Sequence, residues 1–393
     1  MANETRDELI EAKNLYKSKK YSEALEKYEQ IYFENPDEFG KWDKIFYSWS
    51  IYQMHVKNYD DETELIESAK LITKLTRQSN LNKTSTCAYT LSVFKVLDYL
   101  YKDGDFVYLL DWLDKIDVTL LDSKFFEYNG RTYPSRKEKY FNYASKAYFE
   151  CGDYEYCVLI SEKALRELQG FANNSDVWFN WRIAKSLKML DQPEKALLYL
   201  KEVSKVKRDW FIPKEIAENY FILGDDENAI KYIADAISTD EPSNLKVNLY
   251  YLAYKVLKDD EPDIALKHAE LVAAIKLKNG AELPSDIEDL QIDETNLDMN
   301  ELEGQIKDYW LEFKFKNQKL QHGDITRIHD HGKSGFITSD DNKRFYFRVS
   351  EFKDDISLLG EGLSVSFYTE KGFDRSKNKE SDNAVNIHIN TTN

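Results

Sequence analysis

The sequence predicts a multidomain fold, a long all-α solenoid of paired helices followed by a small all-β barrel. Three observations lead there. Helix–turn–helix patterns recur through residues 1–278, and the small residues Cys157, Ala196, Ala229 and Ala265 follow one another at intervals of 39, 33 and 36. From residue 279 the helical apolar period gives way to an acidic stretch. From residue 322 onward, alternating aromatic-rich runs such as "RFYFRVS" (344–350) and "LSVSFYT" (363–369) lie between Gly and Asp-Asn turns, the signature of antiparallel strands.

The first repeat is "AKNLYKSKKYSEALEKYEQIYFENPDE" (12–38). Its small residues Ala12 and Ala24 allow two helices to approach closely, Tyr21 stands at the turn between them, and Pro36 ends the second. Similar hairpins carry Ala144, Tyr148, Gly152, Tyr154, Cys157 and Ala164, then Ala184, Leu187, Asp191, Pro193 and Ala196. Two more carry Ala217, Tyr220, Gly224 and Ala229, and Ala253, Val256, Asp260, Pro262 and Ala265. Between the first and second clear repeats, "TCAYTLSVFKVLDYLYKDGDFVYLLDWLDKI" (86–116) reads as helix, Gly-Asp turn, helix. These offsets resemble the tetratricopeptide repeat, with its period of about 34 residues. The resemblance implies about seven hairpins over residues 3–278, holding an extended peptide, a partner protein or a second copy of the chain.

The long insertion "LDSKFFEYNGRTYPSRKEKY" (121–140) is expected on the surface rather than in the core. "NGAELPSDIEDLQIDETNLDMNELEG" (279–304) reads as a solvated acidic linker, with room for one short helix and few apolar anchors, so the solenoid is expected to fold without the barrel. "QIKDYWLEFKFKNQKLQ" (305–321) reads as a short, locally basic connecting helix, and residues 322–393 as the barrel.

Charge narrows the function. Lys and Arg number 54 against 71 Asp and Glu, a net charge of −17, which argues against a general polyanion binder. From Gln305 to the end, however, there are 14 basic and 14 acidic side chains, so the whole acidic excess lies upstream. A nucleic-acid role belongs to the tail. Three cysteines without paired spacing point to a reducing, intracellular compartment, and no signal-peptide core or membrane-length apolar run is present, so a soluble cytoplasmic protein is expected.

The tail holds Gly332-Lys333-Ser334, the ending of a phosphate-binding loop, but the glycine required five residues earlier is Arg327, and a strand and turn follow instead of a helix. The other reading fits: residues 323–389 resemble a cold-shock domain, a five-stranded OB-type barrel. "GDITRIHDHGKSGFI" occupies the first two strands, with Gly335, Phe336 and Ile337 at the end of the first ribonucleoprotein motif. Phe345, Tyr346, Phe347, Val349 and Ser350 fall in the second motif, and "GEGLSVSFYTEKG" and "NAVNI" match the closing strands.

The resemblance implies single-stranded RNA or DNA as ligand, with Phe336 and Tyr346 as stacking aromatics and Arg348 in place of the family's usual His. Lys333, Lys343, Arg344 and Arg327 are the further candidate contacts. Three family aromatics are replaced, by Arg327, Ile328 and Ser334, which implies weaker or differently specific binding. The pairing of a divergent helical-repeat region with a cold-shock or S1-like barrel also resembles proteins of bacterial conflict systems directed against phage, including the TOTE group.

His322, His329 and His331 are near neighbours, but no Cys or carboxylate pattern completes a metal site, and the acidic run from Asp286 to Glu303 lacks the ligand spacing of a calcium loop. No set of catalytic residues assembles with its supporting context. The expectation is therefore an adaptor without enzymatic activity and without cofactors, joining a protein-binding solenoid to a barrel that binds single-stranded nucleic acid. The alternative is a protein–protein scaffold whose degenerate barrel has lost nucleic-acid binding.

Overall fold

A computed structural model describes residues 2–79, 87–239, 241–293, 297–374 and 379–390. The chain is mostly helical and ends in a closed five-stranded β-barrel. It divides into two compact units, residues 1–191 and 192–393.

The first unit contains α1 (Ala2–Lys17), α2 (Tyr21–Glu34), α3 (Lys41–Ile51), α4 (Glu62–Leu75), α5 (Ala88–Asp103) and α6 (Phe106–Leu113). A short hairpin of β1 (Phe126–Tyr128) and β2 (Arg131–Tyr133) precedes α7 (Arg136–Glu150), α8 (Tyr154–Glu167) and α9 (Asp176–Met189). Consecutive helices pack as pairs, α1 with α2, α3 with α4, α5 with α6 and α7 with α8. Ala12, Ala24, Tyr28, Ala144, Cys157 and Ala164 are buried where these pairs meet, as their size and spacing require.

One turn chemistry recurs. Gly104 and Gly152 adopt left-handed φ values of 90° and 79°, which end one helix, and the Asp that follows caps the next. Asp105 accepts from the Tyr108 amide at 3.0 Å and Asp153 from the Tyr156 amide at 3.3 Å. Residues 121–140 hold more order than a surface loop: Asn129 and Gly130 at φ 50° and 71° make the tight turn of the β1–β2 hairpin, and Arg136–Tyr140 already belong to α7.

The second unit contains α10 (Pro193–Ser204), α11 (Phe211–Ile222), α12 (Asp226–Ile237), α13 (Val247–Leu257), α14 (Pro262–Lys278), the single turn α15 (Ser285–Glu288) and α16 (Met299–Phe315). The barrel follows as β3 (Gln321–Ile328), β4 (Ser334–Ser339), β5 (Arg344–Arg348), β6 (Ser364–Asp374) and β7 (Lys379–Ile389).

Two sequence expectations are corrected here. Residues 279–304, of which 294–296 lie outside the described residues, are not a solvated linker: Ile287 and Leu302 are buried in the same apolar cluster as α12, α13 and α14. The connecting helix spans 299–315 rather than 305–321, and it packs against α14 and α12 through Leu302, Ile306 and Trp310. These three, at intervals of four, form one apolar stripe that the dense surrounding charge obscures in the sequence. A solenoid truncated after residue 278 would therefore lose part of its own core.

The key contact of α16 is a buried polar one. The Trp310 indole N–H donates to His268 Nε2 at 2.9 Å, and His268 Nδ1 lies 2.8 Å from the Ile264 carbonyl oxygen. Indole can only donate, so Nε2 is the bare nitrogen and Nδ1 carries the proton that goes to Ile264. The fold thus requires neutral His268. Burial pushes its pKa down to about 4 from 6.5, against the opposing pull of the Ile264 carbonyl. A folded-state pKa below the unfolded one means stability that is complete above pH 6.5 and is lost as pH falls toward 4, in all about 3 kcal/mol. Urea unfolding of the parent and of His268→Gln across that window should show this step in the parent and its absence in the variant.

Candidate nucleic-acid interface

The barrel closes in the order β3-β4-β5-β7-β6, with β3 pairing back to β6. All pairings are antiparallel except that of β5 with β7, which is parallel. Alternation along the strands sorts the aromatics. Phe345, Phe347, Ile337, Ile325, Val365 and Phe367 fill the interior, while Phe336 and Tyr346, one residue out of phase, lie on the outer face and are half-buried.

Phe336 on β4 stands directly across from Tyr346 on β5, their ring centroids 5.9 Å apart at an interplanar angle of 73°. Gly335 between them and the core is obligatory for packing. A Cβ there would fall 2.3 Å from the Arg327 carbonyl oxygen and 2.6 Å from the Phe347 ring.

A third ring joins the pair. His329 sits with its centroid 5.3 Å from Phe336 and 6.5 Å from Tyr346, oriented by a 2.9 Å hydrogen bond between its Nδ1 and the Ser334 hydroxyl. Ser334 thus occupies a position where the cold-shock resemblance leads one to expect an aromatic, and it brings a ring from the neighbouring turn onto the face instead. The sequence alone raises His329 only as a metal-ligand candidate. The available signal was its place five residues before Ser334, across the hairpin turn. Among the described residues no cluster of three His, Cys, Asp or Glu could hold a metal ion.

The cations surround these rings. The Arg344 guanidinium lies 3.9 Å from the Phe336 centroid, a cation–π contact that covers one side of the ring. Arg327 is opposite Phe336 on β3, Arg348 is opposite Ser334, and both are exposed. Lys333 and Lys343 are exposed in the turns that flank β4. Of the seven residues singled out in the sequence, Phe336, Tyr346, Arg327, Arg344 and Arg348 share this face, and the two lysines border it.

The barrel is held to the helices by the last turn of α16. The Lys314 ammonium lies 2.9 Å from Asp235 on α12 and 2.8 Å from Glu370 on β6, and Arg208 reaches the same Glu370 at 3.4 Å. Burial would lower the Lys314 pKa, but the two carboxylates more than offset this, so the ammonium stays charged. Phe315 stacks on Tyr368, with centroids 4.2 Å apart at 8°.

Fold and site define a helical-repeat protein with a C-terminal five-stranded barrel that carries an aromatic and cationic patch. No protein-family model matches the sequence, and no curated protein matches it. Among solved structures it is similar to apo RapI, at 13% identity and TM-score 0.42 over 79% of this chain and 85% of that one. It is also similar to a tetratricopeptide repeat protein from Parabacteroides merdae, at 14% identity and TM-score 0.33 over 78% and 99%. The human IFIT1 dimer with PPP-AAAA aligns at 14% identity and TM-score 0.38 over 75% and 68%. At these scores the likenesses carry no argument about this chain. Among the described residues no helix is long and apolar enough to cross a membrane.

The two sets of rings should respond differently to truncation. Phe345→Ala or Phe347→Ala should each cost the barrel about 3–5 kcal/mol. Phe336→Ala and Tyr346→Ala should each cost well under half of that, since part of each ring already meets solvent. Chemical denaturation followed by tryptophan-independent near-UV dichroism of the barrel would separate the pairs.

Proposed function

We propose that this chain is a non-enzymatic adaptor whose barrel, of the OB type and cold-shock kind, binds single-stranded nucleic acid, RNA in preference to DNA, while its helical repeats hold a protein partner. The barrel reading is supported by the strand order, a five-stranded closed barrel with parallel β5 and β7. The observation that carries the ligand reading is the outer face itself, with Phe336, Tyr346 and His329 in mutual contact and Arg327, Arg344 and Arg348 around them. Unpaired bases stack on such rings whatever their identity, and guanidinium groups both follow the phosphates and stack on bases.

The cover that Arg344 places over Phe336 has a consequence for binding. A base must either displace the guanidinium or stack on it, and the second needs no rearrangement of the barrel. The helical part is suited to a protein ligand by its repeat architecture, and its acidic excess disfavours a polyanion there.

The Phe336→Ala/Tyr346→Ala double variant should weaken binding of a labelled oligouridylate by roughly 2–6 kcal/mol if the two stacks add. For the parent and a tetranucleotide, which spans the ring face alone, log affinity against log salt should fall with a slope of about −2, the value for three arginine–phosphate contacts on a single strand. Fluorescence anisotropy reads both. A folded double variant that binds as tightly as the parent would leave the barrel as a protein–protein module.

A further inference from the structure

Within the second unit a cleft of about 1010 Å³ opens between the barrel and the helices. One wall is the barrel segment from Arg348 through Ser350 to Lys353, and the other is the α10–α11 connection with Lys207 and Arg208. Its volume is at the top of the range of roughly 300–1,000 Å³ found for pockets that enclose a whole drug-sized ligand.

The β5 strand connects this cleft with the ring face. The outward side chains of β5 are Arg344, Tyr346 and Arg348, and successive members of such a row are about 7 Å apart. Arg348 is therefore both the outward neighbour of a stacking ring and the first residue of the cleft wall. At its base, Phe315 on Tyr368 and Lys314 between Asp235 and Glu370 hold the barrel against the helices. Its charge is already partly sorted. Glu370, one of the carboxylates lining the cleft, is held by Lys314 and Arg208. The Lys353 ammonium donates to the Ser350 carbonyl at 3.0 Å on the rim.

We propose that the cleft is the second half of the nucleic-acid path. A strand whose bases stack on Phe336 and Tyr346 passes Arg348 and lays its next phosphates between Lys353 of the barrel and Lys207 of the helical end. The binding site is then composite, and its length exceeds what the barrel face offers alone. This rests on the single-strand reading of the barrel given above. Asp209, Glu241 and Glu351 also line the cleft, so it is not a uniformly basic groove, and it adds a small number of phosphate contacts rather than a broad electrostatic surface.

The test uses the full chain and fluorescein-labelled oligouridylates, one a tetranucleotide and one a dodecanucleotide. Lys207→Ala/Lys353→Ala should weaken the dodecanucleotide by about tenfold, reduce its salt slope by about 1.4, the value for two single-strand contacts, and leave the tetranucleotide within about twofold. Lys207→Arg/Lys353→Arg should restore the longer ligand, which separates lost charge from damaged folding. Phe336→Ala/Tyr346→Ala should weaken both lengths. If the lysine pair changes neither length, or both equally, while the ring variant still weakens both, the composite path is wrong and the ring face stands. If the ring variant changes neither, or the parent binds neither, the single-strand reading fails and the path fails with it.

Discussion

Helix α16 is fixed at two points one turn apart, and the placement of everything C-terminal to it depends on that. Trp310 is fully buried and tied to the repeats by its hydrogen bond to His268. Four residues on, on the same side of the helix, Lys314 bridges α12 to β6, and Phe315 stacks on the barrel. A helix held this way cannot act as a tether. It is a splint, and it sets which side of the barrel meets the helices and which side, with Phe336 and Tyr346, remains accessible. The His268 pair works only as a neutral unit, because protonation would place a charge in a fully buried site and convert an acceptor into a second donor facing the indole N–H.

Charge distribution complements this geometry. The segment from Gln305 onward is balanced at 14 basic and 14 acidic groups, so the full net charge of −17 lies upstream. A polyanion approaching such a chain is repelled from most of its length, and the cations that could receive it are concentrated around the rings and at the cleft. Specific local contacts with modest salt dependence follow from this more readily than the steep salt dependence of a general nucleic-acid binder.

Much of this was legible in the sequence because the relevant signals are local. Small residues at repeat spacing mark helix pairs, and a Gly-Asp dipeptide marks a left-handed helix end followed by a cap, so Gly152 and Asp153 could be read without knowing what packs around them. Alternation likewise separated Phe345 and Phe347 from Tyr346. The parts that were not legible depend on distant partners. The stripe Leu302, Ile306, Trp310 is visible only once α14 provides a surface for it, and nothing near His268 in the sequence signals its partner, because Trp310 arrives from 42 positions away. The Asn129-Gly130 hairpin is a different case, since its turn signal is local and lay within a stretch judged by overall composition. In the sequence His329 stands out only as one of three neighbouring histidines that no Cys or carboxylate completes into a metal site, whereas its bond to Ser334 makes it part of the aromatic face.

The central claim is that bases lie against this face, and photochemical cross-linking tests it most directly. Oligouridylate containing 4-thiouridine, bound to the full chain, irradiated and digested, should yield nucleotide adducts on peptides containing His329, Phe336 or Tyr346. Adducts confined to the helical repeats, or to the opposite side of the barrel, would contradict the account.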